Sequence, residues 1–563
     1  MTSTDTPRAP INGLSLVRGV TDTPLSDETV YDLLASAARR WPQRDAAVFV
    51  EQGIRWTWQQ LQQQVDWAAA GLAHLGVRKG DRVGIWSPNR CEWLLTQFAT
   101  ARLGAILVNI NPAYRLAELE YALNKAGASV LVTAAAFKSS NYLGMLQNLG
   151  VGQSGAGARL PHLRAVVRMG DEATAGMLNW RALVQAGALH AGELPHARTL
   201  HCHEAINIQF TSGTTGAPKG AALTHHNIVN NAHAVAECMR FSEADSLCIP
   251  VPLYHCFGMV LAVLASVARG AKMVFPGEAF DARATLSAVE AEQCTALHGV
   301  PTMFIAELDH AEFARFDLGS LRTGVMAGAP CPIAVMQRVQ SDMHMREVTI
   351  AYGMTETSPV SFQSATDDPL DKRVATVGRV LPHLEVKIVD AHGAVVAVGE
   401  KGELCTRGYS VMQGYWGDEE RTREAVQGGW MHTGDLATLD AEGYCNIVGR
   451  VKDMVIRGGE NIYPREVEEY LFRHPKVAAV QVFGIPDLRY GEELCAWIIT
   501  KSGVACTEDE IRAFCREQIA HYKVPRYIRF VDELPVTVTG KPQKFVMREA
   551  MMRELGLAVA ASG

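Results

Sequence analysis

Apolar positions along residues 57–132 switch repeatedly between a helical and an extended period. Leu61, Val65, Ala68 and Leu72 share one helical face, in a segment that Thr57 and Gln60 would open as a capping box and Gly76 would stop. An apolar strand follows at 82–86, then a helix through Trp93, Leu94, Phe98 and Ala101 ending at Gly104. A strand at 105–110, a helix around Leu119, Tyr121 and Leu123, and a strand at 129–132 complete the series. Strands separated by whole helices are joined by crossovers rather than tight turns, so this alternation predicts βαβ units and a parallel sheet covered by helices.

Further along, Ile206, Ile208 and Phe210 alternate before a Ser/Thr/Gly-rich loop at 211–220 and residues 221–223 resume an apolar run, so the loop should join two strands. Residues 224–227 open another helix. The longest apolar run, 259–268, is far below the ~20 residues a membrane helix needs and reads as core. Residues 150–157 are glycine-rich and read as a mobile surface loop. Val386, Ile388, Val395, Val396 and Leu404 fall in short strands split by turns at 390–393 and 399–402, which predicts a small β-barrel or antiparallel sheet attached to the main body. Beyond residue 450 a helix carrying Val467, Tyr470 and Leu471, strands at 477–482 and 494–499, and a capping box at 507–510 predict a small α+β unit. The fold class is therefore α/β: a large N-terminal domain of βαβ-type sheets with a β-barrel-like subdomain, residues 1–450, and a small mobile C-terminal domain, residues 451–563.

Composition narrows the function. A chain of 563 residues exceeds what one core supports, and its formal net charge of -7, with no basic block, argues against nucleic acid as a partner. Twelve cysteines without a CxxC pair suggest reduced thiols, and the first residues lack a signal or transit pattern; both point to the cytoplasm. His201, Cys202 and His203 suggest a metal site only superficially, because no partner pair has ligand spacing, and read as strand residues.

Two stretches carry chemistry. Thr211, Ser212, Gly213, Thr214, Thr215, Gly216 and Lys219 gather hydroxyls, backbone-exposing glycines and one ammonium into a loop suited to phosphate. It is no Walker A motif, since Gly220 follows Lys219 and Pro218 precedes it. A flexible surface turn is the competing reading. In residues 352–359, Tyr352 offers an aromatic face for adenine, Thr355 a hydroxyl for the α-phosphate and Glu356 a carboxylate for Mg²⁺; alternatively Glu356 only caps a helix.

Together these stretches resemble the adenylate-forming superfamily of acyl-CoA synthetases, peptide-synthetase adenylation domains and beetle luciferase. Residues 205–210, 252–256 and 457–464 are most similar to the ACSF2-like medium-chain fatty acyl-CoA synthetases. The resemblance implies that Tyr254, His255 and Phe257 border the acyl carboxylate, with a hydrogen-bonded core histidine as the other reading of His255. It implies that Gly328, Ala329 and Pro330 lie along adenine, that Asp435 and Arg450 hold the ribose, and that Lys452 is a hinge. Gly458, Gly459 and Glu460 would lie against the pantetheine arm of coenzyme A. Lys541 matches the adenylation lysine, although Pro542 replaces the usual aliphatic neighbour, and Lys544 is the rival.

The expected function is an ATP-dependent acid–thiol ligase that makes acyl-AMP and pyrophosphate and then passes the acyl group to coenzyme A. ATP, Mg²⁺ and coenzyme A are the expected cofactors, and a fatty acid the expected substrate. An acyl- or aryl-AMP ligase loading a carrier protein, or a CoA ligase for an aromatic or sulfur-containing acid, stays open. So does a homodimer.

Overall fold

The computed structural model describes residues 8–152, 159–194, 200–211, 218–329, 331–457, 460–516, 518–537 and 540–557. The chain forms two compact units, one of Arg18–Glu385 with Thr406–Met431, the other of Met1–Val17, Val386–Cys405 and His432–Gly563.

The larger unit contains the parallel sheets that the alternation predicts. In one of eight strands, Arg82–Trp86 lies between Ile106–Asn109 and Val130–Thr133, and Ala165–Arg168 extends the parallel ladder. Ala205–Thr211 adds parallel to Ile106–Asn109, and Lys219–Thr224 then returns antiparallel, with Thr211 opposite Lys219. The loop at 211–220 thus joins two strands, as the alternation requires. A second sheet, of nine strands, is parallel through Asp45–Phe49, Lys272–Phe275, Ser246–Cys248, Ala296–Leu297, Thr323–Ala327 and Glu347–Gly353.

Several helices begin where side chains satisfy their first N–H groups. Thr57 accepts from the Gln60 amide at 3.3 Å while Gln60 Oε1 accepts from the Thr57 amide at 2.9 Å, opening Trp58–His74. Thr224 and Asn227 make the same reciprocal pair ahead of His225–Cys238. That helix touches Lys219–Thr224 of one sheet and Val360–Gln363 of the other, which explains its broad burial. Cys91–Leu103 is buried at every residue except Arg102 and ends on left-handed Gly104. The apolar run at 259–268 is core: Phe257–Leu264 forms a fully buried π-helical stretch continued by Ala265–Arg269. Among the described residues no helix is long and apolar enough to cross a membrane.

Residues 201–203 differ from their expected place in a strand. They form a turn ahead of Ala205–Thr211, because the Glu204 amide bonds back to the His201 carbonyl at 3.0 Å before the ladder begins. The glycine-rich stretch at 150–157 lies mostly outside the described residues.

In the smaller unit Val477–Asp487 pairs antiparallel with Gly491–Thr500, and Tyr527–Phe530 joins the latter in parallel. Val467, Leu471, Val480, Leu494, Ile498 and Ile511 share one core. Thr507 and Glu510 cap Glu508–Cys515 reciprocally. The turn at 390–393 closes with the Asp390 amide bonded to the Ala394 carbonyl at 2.9 Å, but Val395 forms only a single bridge to Val389 where a strand was expected.

Two buried histidines set an acid limit. His225 accepts from the Val30 amide through Nδ1 at 3.0 Å, and His298 accepts from the Val325 amide at 3.2 Å. Burial lowers both from the ordinary 6.5 to about 4. Each therefore stays neutral in the fold while the unfolded chain takes up a proton below 6.5, so stability falls as pH drops from 6.5 toward 4, by up to about 1.4 kcal/mol per pH unit for each group. Melting temperatures between pH 7 and 4.5 should fall accordingly. His225→Asn, which keeps an acceptor for Val30 but cannot be protonated, should flatten the slope.

Candidate active site

The irregular segment that follows Ser246–Cys248 is held by amide side chains buried in the larger unit. Asn109 Nδ2 and Gln209 Nε2 both donate to the Tyr254 carbonyl, at 3.0 and 2.6 Å. Asn89 clamps the start, donating to the Val251 carbonyl at 3.0 Å and accepting from the Leu253 amide at 2.8 Å. Cys256 donates to Gln209 Oε1. A non-repetitive backbone can be buried only if its polar groups find such partners. Tyr254 and Phe257 are buried, and His255 is half-buried with its Nδ1 accepting from the Phe257 amide at 3.1 Å. That bond assigns the ring proton to Nε2, so His255 in this state is a donor and no general base.

Gln209 lies two residues before Thr211, where the phosphate-type loop starts. Ser212, Gly213, Thr214, Thr215 and Gly216 lie outside the described residues, but both ends of the loop are fixed. Thr211 Oγ1 lies 3.4 Å from Glu356 Oε1, and Lys219 Nζ stands 5.0 Å from the centre of the Tyr415 ring. Tyr415 donates its hydroxyl to the same Glu356 oxygen at 2.8 Å. Burial, and then the Glu356 charge, push the Tyr415 phenol up, so it stays protonated and donating. Glu356 is only 6% exposed and has no Lys or Arg partner among the described residues. A buried carboxylate with donors on one oxygen and no cationic side chain suits a cation ligand better than a helix cap.

The turn carrying Glu356 is tightly built. Met354 donates to the Pro359 carbonyl at 2.9 Å, and a Cβ at Gly353 would sit 1.6 Å from that oxygen, so only glycine is admitted. Ser358 Oγ donates to the Ser410 carbonyl at 2.6 Å, and the Met412 amide to the Glu356 carbonyl at 2.9 Å. Thr355 is buried beside it. Tyr352 is the last residue but one of Glu347–Gly353, and Gly328 and Ala329 follow the adjacent parallel strand Thr323–Ala327; Pro330 is outside the described residues. These residues thus gather at the carboxyl ends of neighbouring parallel strands, the customary location of ligand sites in open α/β sheets.

In the smaller unit Asp435 and Arg450 face each other across antiparallel strands, with Arg450 Nε 2.9 Å from Asp435 Oδ1. Asp435 lies inside the strand Trp430–Leu439, and Glu403 braces the residues before it, accepting from the Gly434 amide at 3.1 Å and lying 2.9 Å from His432 Nδ1. Lys452 is exposed in the single turn Val451–Asp453. Gly458 and Gly459 lie outside the described residues. Arg457 before them is tied to Glu493 by two bonds of 2.7 and 2.8 Å, and Glu460 after them is exposed. Lys541 pairs back to Thr537, its amide on Thr537 Oγ1 at 3.1 Å and its carbonyl taking the Thr537 amide at 2.8 Å. Lys544 is committed elsewhere: its ammonium pairs with Glu468 at 2.7 Å.

The sequence profile of the AMP-binding enzyme family matches residues 34–416, and that of the AMP-binding enzyme C-terminal domain matches residues 466–541. The chain belongs to the AMP-binding enzyme family. It is 46% identical over 98% of its length to the mitochondrial medium-chain acyl-CoA ligase ACSF2 of Danio rerio, covering 93% of that protein. The human medium-chain acyl-CoA ligase ACSF2 is 44% identical over 97% of this chain and 91% of its own. Among solved structures, the anthranilate CoA ligase AuaEII in complex with anthranoyl-AMP has a TM-score of 0.86 at 29% identity, covering 95% of this chain and 99% of its own. ATP-bound MatB from Rhodopseudomonas palustris has a TM-score of 0.81 at 27% identity, covering 94% of this chain and 100% of its own. With relatives of this kind along nearly its whole length, the chain is an AMP-forming acid–CoA ligase.

Several residues of this AMP-binding enzyme escape sequence reasoning: Tyr415, Asn109, Gln209 and Glu403. Each acts on a partner at least 29 residues away, as with Glu403 and His432, and no short spacing announces it.

The two lysines of the C-terminal region should separate by experiment. Lys544→Met removes the partner of nearly buried Glu468, which keeps only the Val482 amide among its described hydrogen bonds. The variant should lose roughly 1–3 kcal/mol of stability. A melting scan that leaves Lys544→Met indistinguishable from wild type would return Lys544 to candidacy as the adenylation lysine.

Proposed function

We propose that the protein joins a medium-chain fatty acid to coenzyme A through an acyl-adenylate, with release of pyrophosphate. The observation that carries this reading is the buried Glu356 carboxylate, held by Thr211 and Tyr415 at the mouth of the hydroxyl-rich loop without a cationic side chain among the described residues.

A carboxylate is a poor electrophile, so thioester formation in water needs a better leaving group than oxide. In the first step the acid's oxygen attacks the α-phosphorus of ATP and the bond to pyrophosphate breaks. In the second the thiol sulfur bonds the acyl carbon, AMP leaves with the oxygen, and the thiol proton passes to solvent. The protein supplies positioning and charge rather than a nucleophile. Thr211, Lys219 and Thr355 neutralise phosphate oxygens, Tyr352 and Gly328 flank adenine, and Asp435 and Arg450 take the ribose hydroxyls. Mg²⁺ bound with ATP would be held by Glu356 and would draw charge from the phosphate oxygens. His255, with its proton on Nε2, orients the acid as a donor. Lys541 serves the first step, and it moves away about Lys452 so that Gly458, Gly459 and Glu460 can line the thiol's approach.

The likeness to an anthranilate CoA ligase favours an aromatic acid as the second reading. A cytoplasmic location belongs to the same proposal, supported by twelve cysteines that include no CxxC pair.

An acid panel scoring pyrophosphate, AMP and thioester together tests the scheme, and ADP with inorganic phosphate as products would sink it. Lys541→Ala should suppress adenylate formation while leaving thioester formation from supplied acyl-adenylate largely intact; equal loss of both steps would refute this division. Tyr415→Phe removes one donor from Glu356 and should raise the Mg²⁺ concentration needed for half-maximal activity, by about tenfold for a charge-assisted bond. An unchanged Mg²⁺ titration would remove Glu356 from the metal.

A further inference from the structure

Three segments distant in sequence bring metal-ligating side chains together away from the residues described above. The turn at 201–203 is bound to the start of the helix His225–Cys238, with the His226 amide on the Cys202 carbonyl at 2.8 Å. The segment before the helix Val30–Arg40 is bound to the same helix, because Asn230 Oδ1 accepts from the Ser26 amide at 2.7 Å and Asn230 Nδ2 donates to the Ser26 carbonyl at 2.9 Å. Asp27, His203 and His226 are thereby presented to one another, with one ligand atom from each lying within 4.8 Å of the others. The two imidazole rings are 4.5 Å apart between centres.

The geometry points to a transition-metal site formed by Asp27, His203 and His226. Two imidazole nitrogens and a carboxylate oxygen suit Zn²⁺ and similar borderline ions better than Mg²⁺ or Ca²⁺, which prefer oxygen alone. Tetrahedral zinc holds such atoms roughly 3.4 Å apart, so small rotations of the exposed Asp27 and His203 side chains complete the site. Each ligand has support beneath it. Cys202 is buried with its thiol 3.6 Å from Asp27 Oδ1, and the His203 amide is fixed on His201 Nδ1 at 3.3 Å. The helix N-terminus opposes a cation at His226, and the Asp27 carboxylate, which has no Lys or Arg partner among the described residues, offsets it. A second group, Glu403, Cys405 and His432, is less apt, since both Glu403 oxygens are already engaged. Loaded with metal, the first site would pin the segment before Val30 to the strand that ends at Thr211.

The test uses the full chain stripped by chelator and titrated with Zn²⁺ or Co²⁺, read by bound metal after gel filtration, Co²⁺ absorption and melting temperature. Wild type and Glu356→Gln should each retain one equivalent at this site and melt higher with metal. His203→Gln and Asp27→Asn, both at exposed positions, should weaken that binding by more than the ~10–100-fold typical of losing a supporting residue, and lose the thermal gain. Cys202→Ser should fall between. Metal binding by His203→Gln equal to wild type, or none by wild type, overturns the site.

Discussion

The larger unit turns on one oxygen atom. Glu356 Oε1 receives the Tyr415 hydroxyl and faces that of Thr211, so segments 59 and 145 residues away in sequence meet at a single buried charge. An anion so placed is tolerable only with donors around it and a cation within reach. The surrounding bonds follow from that constraint: Ser358 to Ser410, Met412 to the Glu356 carbonyl, and the glycine at 353 that lets the turn press against Pro359. An ordinary surface carboxylate would need none of them.

Around this turn the fold is a means of burying irregular backbone. The segment carrying Tyr254, His255 and Phe257 has no ladder of its own, and amides projecting from the neighbouring sheet substitute for one. Asn109 and Gln209 come from adjacent parallel strands, paired in register at those two positions. The sheet thus positions the segment directly, and not merely by packing against it.

Much of this was legible in the sequence because the signals are local. Capping boxes at Thr57 and Thr507 formed as their spacing required, a helix opened at Thr224, and alternation on either side of residues 211–220 announced two strands. Local signals failed where distant partners decide. His201, Cys202 and His203 look extended, but the Glu204 amide turns the chain back before the strand begins. Val395 and Val396 are strand-formers beside a turn, and only a single bridge forms there. Tyr415 was invisible because nothing near it in sequence shows that its hydroxyl meets Glu356.

Asp435 and Arg450 occupy facing register positions on two antiparallel strands and neutralise each other there. Asp435 is 5% exposed whereas the Arg450 side chain is 56% exposed, so the arginine brings its charge from the solvent side to a carboxylate that lies inside. Loss of the arginine would therefore weigh on a buried anion and loss of the aspartate on a cation that water can reach, so the two positions are unequal in what they tolerate.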